Sequence, residues 1–127
     1  MKFIPKDPPR KFEVGRGKRI TIKDCGQMHL DNDEQITFHT SSGKEYDFAH
    51  KEWGFYATPS LNGRLKSFDL RAVLVKSSDG KYYVFVVEKG KEDLMKEYMD
   101  IEDHSILCWL DSNEALQKLE DGLKKII

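Results

Sequence analysis

Cysteine is scarce in this sequence. The 127 residues include two cysteines, Cys25 and Cys108, which lie far apart and outside any Cys-x-x-Cys pair. Because no export signal precedes them, we expect both thiols to be reduced rather than bridged. The low cysteine count excludes a disulfide framework, and a chain of this length can bury a sufficient core without one.

Long apolar runs are missing as well. No stretch approaches the roughly 18 consecutive apolar residues that a membrane-spanning helix needs. The N-terminal segment MKFIPKDPPRKFEV also lacks the continuous apolar stretch of a signal peptide. We therefore expect a cytoplasmic protein with no membrane insertion.

Net charge is nearly absent, at −1, but the charges are unevenly distributed. Residues 1–23 carry eight basic side chains against two acidic ones, a charge of +6, whereas residues 88–127 carry eleven acids and six lysines, a charge of −5. Such asymmetry occurs in nucleic-acid-binding arms and in surfaces that attract each other within a monomer or across a dimer. Few aromatic residues lie among the basic ones, so the sequence disfavours nucleic acid.

Proline is confined mainly to the N-terminus, at Pro5, Pro8 and Pro9. Proline removes backbone donors and restricts its neighbours to extended shapes. We expect an extended basic arm over residues 1–10 and a single domain over residues 11–127.

Alternation of apolar and polar residues then predicts three hairpins. The first joins KFEV to ITI through GRGK, and the second joins EQITFHT to EYDFAH through SSGK. The segment QMHL between them is a further short strand. The third hairpin joins LRAVLVKS to YYVFVVE through the turn at Asp79 and Gly80. Its nearly continuous apolar runs are typical of central strands covered on both faces.

Beyond Glu88 the apolar period lengthens to the value of about 3.6 that marks helices. This predicts a helix in KEDLMKEYMDI, a strand in HSILCWL and a second helix in DSNEALQKLEDGLKKII. Asp111 and Glu114 have capping-box spacing at the start of the last helix. The fold class is therefore α+β, mainly an antiparallel sheet of three hairpins with the two C-terminal helices covering one sheet face.

Several chemistries are disfavoured by spacing. The four histidines include no helical or single-strand ligand pair, so we expect neither a metal nor another cofactor. The cysteines have no base as a sequence neighbour, and GRGKR joins two strands rather than opening a helix as a P-loop does.

The segment WGFYATPSLNGRL combines aromatic, hydroxyl, amide and cationic side chains in a connection unusually long and rich in large residues. Aromatic faces stack on sugars or bases, and arginine holds a carboxylate or phosphate with two donors. The candidate ligand-binding residues are Lys51, Trp53, Tyr56, Asn62 and Arg64. The alternative is that Trp53 and Phe55 point into the core and that Arg64 pairs with Asp69 or Glu88.

The runs KEWGFYATPSLNGRLKSFDLRAVLV and YYVFVVEKGKE, with DEQITF and GKEYDF upstream, resemble a family of small bacterial proteins encoded among genes for cell-surface polysaccharide synthesis. The resemblance covers roughly residues 27 to 111. It implies sugar-related work in a bacterial cytoplasm and assigns no catalytic residues.

Three functional hypotheses follow. The first is a non-enzymatic binding or accessory domain for an anionic sugar or nucleotide-sugar, or for an enzyme that handles one. The second is a small sugar-modifying enzyme that uses Asp69 or Glu88 as acid or base, with His50. The third is a structural homodimer, assembled through a hairpin edge and the opposite charges of the chain ends.

Overall fold

The computed structural model describes residues 1–126, which form eight strands and three helices. In chain order these are β1 (Lys2–Val14), β2 (Ile20–His29), β3 (Glu34–His39), β4 (Glu45–Lys51), β5 (Gly54–Ala57), α1 (Arg64–Ser67), β6 (Leu70–Lys76), β7 (Tyr82–Glu88), α2 (Glu92–Ile101), β8 (Ser105–Trp109) and α3 (Asn113–Lys124). The strands make three antiparallel sheets, so the predicted α+β class is confirmed. Within residues 1–126, no helix has the length and apolar character to cross a membrane.

The chain divides into two compact units. The first comprises residues 1–38 and 47–58, and the second comprises residues 39–46 and the chain from residue 59 onward. The predicted domain boundary after residue 10 stays a prediction, although residues 2–10 lie within β1.

The first unit contains an antiparallel ribbon of β1 and β2. The first predicted hairpin is confirmed, with Phe12 opposite Ile22 and Val14 opposite Ile20. The ribbon is longer than predicted, since pairing resumes beyond an irregularity between Pro5 and Arg10. Proline cannot donate to a ladder, so an irregular stretch accommodates Pro8 and Pro9 within the strand. QMHL contributes to β2 and does not form a separate strand.

The second sheet has the strand order β3-β4-β5. Its β3–β4 turn includes a hydrogen bond from the Thr40 amide to the Lys44 carbonyl oxygen, at 3.0 Å, where the sequence predicts the second hairpin. The short strand β5 extends this sheet and comes from the segment WGFYATPSLNGRL. The same segment supplies the start of α1, a helix that the sequence pattern does not predict.

The sheet of the second unit has the order β7-β6-β8. The third predicted hairpin is confirmed, because β6 pairs antiparallel with β7 around a turn with Gly80 at φ +85°. Strand β8 pairs antiparallel with the other edge of β6. Strands β7 and β8 therefore run parallel to each other, and α2 is the crossover that joins them.

Side chains of β6 alternate between two apolar clusters, so this central strand is covered on both faces. Met95 and Met99 of α2 pack in one cluster, whereas Leu116 and Leu119 of α3 pack in the other. The buried residues of the α2 side are Val73, Val75, Val87 and Met99; those of the α3 side are Leu65, Leu70, Ala72 and Leu110. The expectation that both helices cover one face is wrong, because the crossover places α2 on one face and the chain then returns along the other.

The N-terminus of α3 also differs from the prediction. Its N-cap is Ser112, whose side-chain oxygen accepts a hydrogen bond from the Ala115 amide at 3.0 Å. Asp111 does not cap the helix, because its carboxylate binds the side chain of Arg71.

Candidate functional site

The hairpin of β4 and β5 presents the aromatic part of the predicted site. Lys51 lies opposite Gly54, so Glu52 and Trp53 form the tip. Gly54 has φ +140°, a conformation that glycine adopts more readily than other residues. The turn therefore presents Trp53 at the end of the hairpin.

Trp53 and Tyr56 stack on each other, and we call this pair the aromatic platform. Their ring centroids are 5.9 Å apart and the planes are inclined by 26°. Trp53 is 71% exposed and Tyr56 is 44% exposed. A stacked aromatic pair with this much exposed surface can accept a third flat ring.

Phe55 belongs to the opposite side of the same hairpin, because successive strand residues point to opposite faces. Its ring lies 4.9 Å from that of His50, its cross-strand partner. Phe55 is 67% exposed, so the interpretation that Trp53 and Phe55 point into the core is wrong.

Lys51 is cationic but already paired. Its Nζ donates to Asp33 Oδ1, and this contact, chiefly the hydrogen bond, raises the pKa of Lys51. The two side chains remain 37% and 71% exposed, so solvent screens the pair and an anion can compete with Asp33. An anionic group of a ligand could thus take the place of the Asp33 carboxylate at Lys51 Nζ.

Asn62 and Arg64 belong to the second unit, at the start of α1. The Asn62 amide Nδ2 donates to Asn113 Oδ1 at 2.8 Å, and the Arg64 backbone amide donates to Ser60 Oγ at 3.1 Å. The Arg64 guanidinium lies over the Phe68 ring, 5.4 Å from its centroid. The predicted residues thus fall into two groups, with Lys51, Trp53 and Tyr56 in the first unit, and their common role in ligand binding stays a prediction.

A cavity of about 200 Å³ lies in the second unit and was not predicted. It is lined by three cationic, two acidic and one apolar side chain, namely Lys66, Arg71, Lys89, Asp69, Asp111 and Leu70. Sequence separation explains why it was missed, since the lining comes from α1, β6, the residue after β7 and the segment between β8 and α3.

Arg71 organises one wall of this cavity. Its Nε donates to Asp111 Oδ2 at 2.6 Å, its Nη1 donates to Glu92 Oε2 at 3.2 Å, and its guanidinium lies 4.0 Å from the Trp109 ring centroid. The hydrogen bond to Asp111 is the main cause of a raised pKa of Arg71. Backbone amides of Glu92 and Gly90, together with Arg71, lower the pKa of Glu92. The Arg71 guanidinium is thus held by two carboxylates and an aromatic ring, which makes this wall a structural network.

The candidate acid and base residues of the enzyme hypothesis are solvated or held as anions. Glu88 accepts hydrogen bonds from Lys91 and Ser42, and these contacts lower its pKa. Asp69 is 58% exposed at its side chain and lies 3.5 Å from Lys44 Nζ. A carboxylate with a lowered pKa is a poor general acid near neutral pH. The role of His50 in a reaction stays a prediction.

Among residues 1–126, no three His, Cys, Asp or Glu side chains lie close enough together to hold a metal ion. The two cysteines are not bridged to each other; Cys25 is exposed and Cys108 is half-buried. Comparison of the chain with protein-family models, with curated proteins and with solved structures finds no match in any of the three.

Proposed function

We propose that this protein is a non-enzymatic binding or accessory domain for an anionic sugar or nucleotide-sugar, or for an enzyme that handles one. The observation that carries the proposal is the aromatic platform, in which Trp53 is stacked on Tyr56 and still 71% exposed. The setting, bacterial polysaccharide synthesis, rests on the sequence resemblance alone.

The platform suits the flat faces of such a ligand. The C–H face of a hexose and the face of a nucleobase are both apolar, and both stack on tryptophan. A tryptophan stacked on one side only has its other ring face free for this contact. Stacking on Tyr56 restricts the Trp53 side chain, so little further Trp53 entropy would be lost on ligand binding.

Lys51 supplies the charge selectivity in this proposal. It pairs across the hairpin with Gly54, next to Trp53, and its partner Asp33 is largely exposed. A phosphate or carboxylate on the ligand would replace Asp33 as the acceptor. We also propose that Asn62 and Arg64, which belong to the second unit, contribute to ligand binding. The variants Asn62→Ala and Arg64→Ala test the two contributions one at a time.

The test compares two aromatic substitutions on opposite faces of one hairpin. Trp53→Ala removes the platform, whereas Phe55→Ala removes a ring of similar exposure from the other face. Stacking contributes about 1–3 kcal/mol, so Trp53→Ala should raise the Kd by roughly 5- to 150-fold. Phe55→Ala should leave the Kd unchanged within about twofold.

Thermal shift and titration calorimetry provide the measurement, with UDP-glucose, glucose 1-phosphate, glucuronate and neutral glucose as probes. We expect an anionic probe to raise the Tm of the wild type and glucose to have no effect. Because Trp53 is exposed, the Tm of the unliganded variant should match the wild type. The proposal is wrong if the two variants bind equally well, or if none of the probes binds the wild-type protein.

A further inference from the structure

The β1–β2 ribbon carries an apolar face that the chain leaves partly uncovered. Phe12, Val14, Ile20 and Ile22 form two cross-strand pairs that share this face, and we call the four residues the ribbon face. They remain 36%, 39%, 41% and 41% exposed, respectively. Strict alternation of this kind normally places the apolar side against a core. A two-stranded ribbon is also marginally stable alone, so a cover for this face would stabilise it.

The opposite side of the ribbon is polar and basic. Lys11 lies directly across from Lys23, an arrangement in which like charges repel. Neither lysine has an ion pair among residues 1–126, whereas Lys6 and Arg10 pair with Asp24. The positive charge of residues 1–23 is therefore only partly neutralised within the ribbon.

Helix α2 carries a surface of complementary character. Leu94, Tyr98 and Ile101 recur at helical spacing and are 63%, 38% and 44% exposed, and we call them the α2 strip. The buried side of this helix consists of Met95 and Met99 instead. The predicted apolar stripe of α2 is thus only partly used by its own core.

Acidic residues flank the α2 strip. Glu97 and Asp100 belong to the same two turns, and neither has an ion pair among residues 1–126. Residues 88–127 as a whole carry a charge of −5. The helix therefore presents exposed apolar side chains within a negative field, and the ribbon presents exposed apolar side chains within a positive one.

We propose that the ribbon face of one protomer packs on the α2 strip of a second copy of the chain. The chain itself carries both complementary surfaces, so each of two copies can supply one surface to the other, and the proposed assembly is a dimer that forms the contact twice. Packing of two ribbon faces on each other is disfavoured because two segments with a charge of +6 would meet. This contact is independent of the proposed ligand site.

A charge swap tests the pairing of these two surfaces. The double substitution Lys11→Glu with Lys23→Glu reverses charge on the ribbon without breaking an ion pair or touching the ribbon face. Both lysines lie on the side of the ribbon away from the contact, so the substitution acts through the field across the two-stranded ribbon and not through a direct ion pair. Glu97→Lys with Asp100→Lys does the same on α2. In 50 mM salt each double variant should raise the dimer Kd at least tenfold, and the combined fourfold variant should return it to within about threefold of the wild type.

Sedimentation equilibrium gives the dimer Kd of each variant, and circular dichroism confirms that each is folded. Lys66→Glu with Lys89→Glu is the matched control, because it makes an equal charge change at two exposed lysines of the second unit. It should leave the Kd unchanged within threefold. Leu94→Ser tests the apolar contact at a residue too exposed to affect folding, and it should also raise the Kd at least tenfold.

Three results would overturn the proposal. The first is a wild type that stays monomeric at 100 µM in low salt. The second is a dimer that weakens with the ribbon variant but not with the α2 variant, because that pattern indicates ribbon-on-ribbon packing. The third is a fourfold variant that fails to recover, since reversing the charges of both surfaces restores the attraction that the proposed contact requires.

Discussion

Replacement of Arg71 is the sharpest test of how the second unit is held together. Arg71 lies in β6 and joins the start of α2 to the segment between β8 and α3. Its side chain is 30% exposed and that of Asp111 is 11% exposed, so water cannot fully replace the lost contacts. Arg71→Ala would remove the cation that pairs with the Asp111 carboxylate and leave that charge largely buried.

The expected loss follows from the two interactions with the best geometry. A hydrogen bond between charged groups contributes about 1.5–3 kcal/mol, and a cation–π contact such as that with Trp109 contributes about 0.5–1 kcal/mol. Since Arg71 keeps some solvent contact, we take the lower part of the combined range, about 2–3 kcal/mol. For a chain of this size, each kcal/mol corresponds to roughly 3–4 °C in Tm, so the Tm should fall by about 6–12 °C.

Chemical denaturation and thermal unfolding give the free energy and the Tm directly. Arg71→Lys keeps the charge but loses the planar guanidinium and its stacking on Trp109. Its loss in free energy of unfolding should therefore be about half of that for Arg71→Ala. Lys66→Ala is the control, because it removes an exposed cation from the lining of the same cavity and should change the free energy of unfolding by less than about 0.5 kcal/mol. A loss for Arg71→Ala no larger than that of Lys66→Ala would refute this account.

Two further predictions concern acid stability and the ribbon. Lys91 and Ser42 lower the pKa of Glu88 from its ordinary value of 4.5. The Glu88 carboxylate therefore binds a proton more readily in the unfolded chain than in the folded one. The resulting stabilisation of the folded state is present above pH 4.5 and is lost as the pH falls through the folded pKa. Denaturation between pH 3 and 7 should show a smaller loss on acidification for Glu88→Gln than for the wild type, and an unchanged pH profile would contradict this. Gly26→Ala should destabilise the ribbon, because a Cβ there would lie 2.5 Å from the Ile4 carbonyl oxygen and 2.9 Å from the Phe3 ring. Amide exchange in β1 should accelerate in Gly26→Ala, whereas Gly90→Ala, where no atom lies within 4 Å of the added Cβ, should leave β1 unchanged.

Local patterns predicted the elements but not their arrangement. The turn at Gly80 and the apolar runs beside it identified the β6–β7 hairpin, because turn chemistry and strand periodicity act over a few residues. The crossover that places α2 and α3 on opposite faces depends on which edge of β6 the strand β8 joins. That choice is made by packing between distant residues, and no periodic signal records it.

The candidate site shows the same limit. Three aromatic residues in four positions indicated a surface of interest, and the turn before Gly54 places Trp53 and Phe55 in solvent rather than in the core. The pairing of Lys51 with Asp33 and of Arg71 with Asp111 could not be predicted, since the partners are 18 and 40 residues apart. Ion pairs between residues this far apart leave no spacing rule in the sequence.

The buried core and the two surfaces proposed for recognition lie in different parts of this chain. The buried apolar side chains belong to the second unit with the exception of Ala49, whereas the ribbon face and the aromatic platform both belong to the first. Exposed aromatic and β-branched side chains are costly in water, so a sequence that places them on thin antiparallel sheets gains little from them in folding. The proposed ligand and the proposed second protomer would offset this cost by covering them. In the ribbon, the exposed Phe12 and Ile22 contribute little to folding, and the repulsion between Lys11 and Lys23 on the opposite face lowers stability further. Both features favour the proposal that the ribbon face is covered by a second protomer.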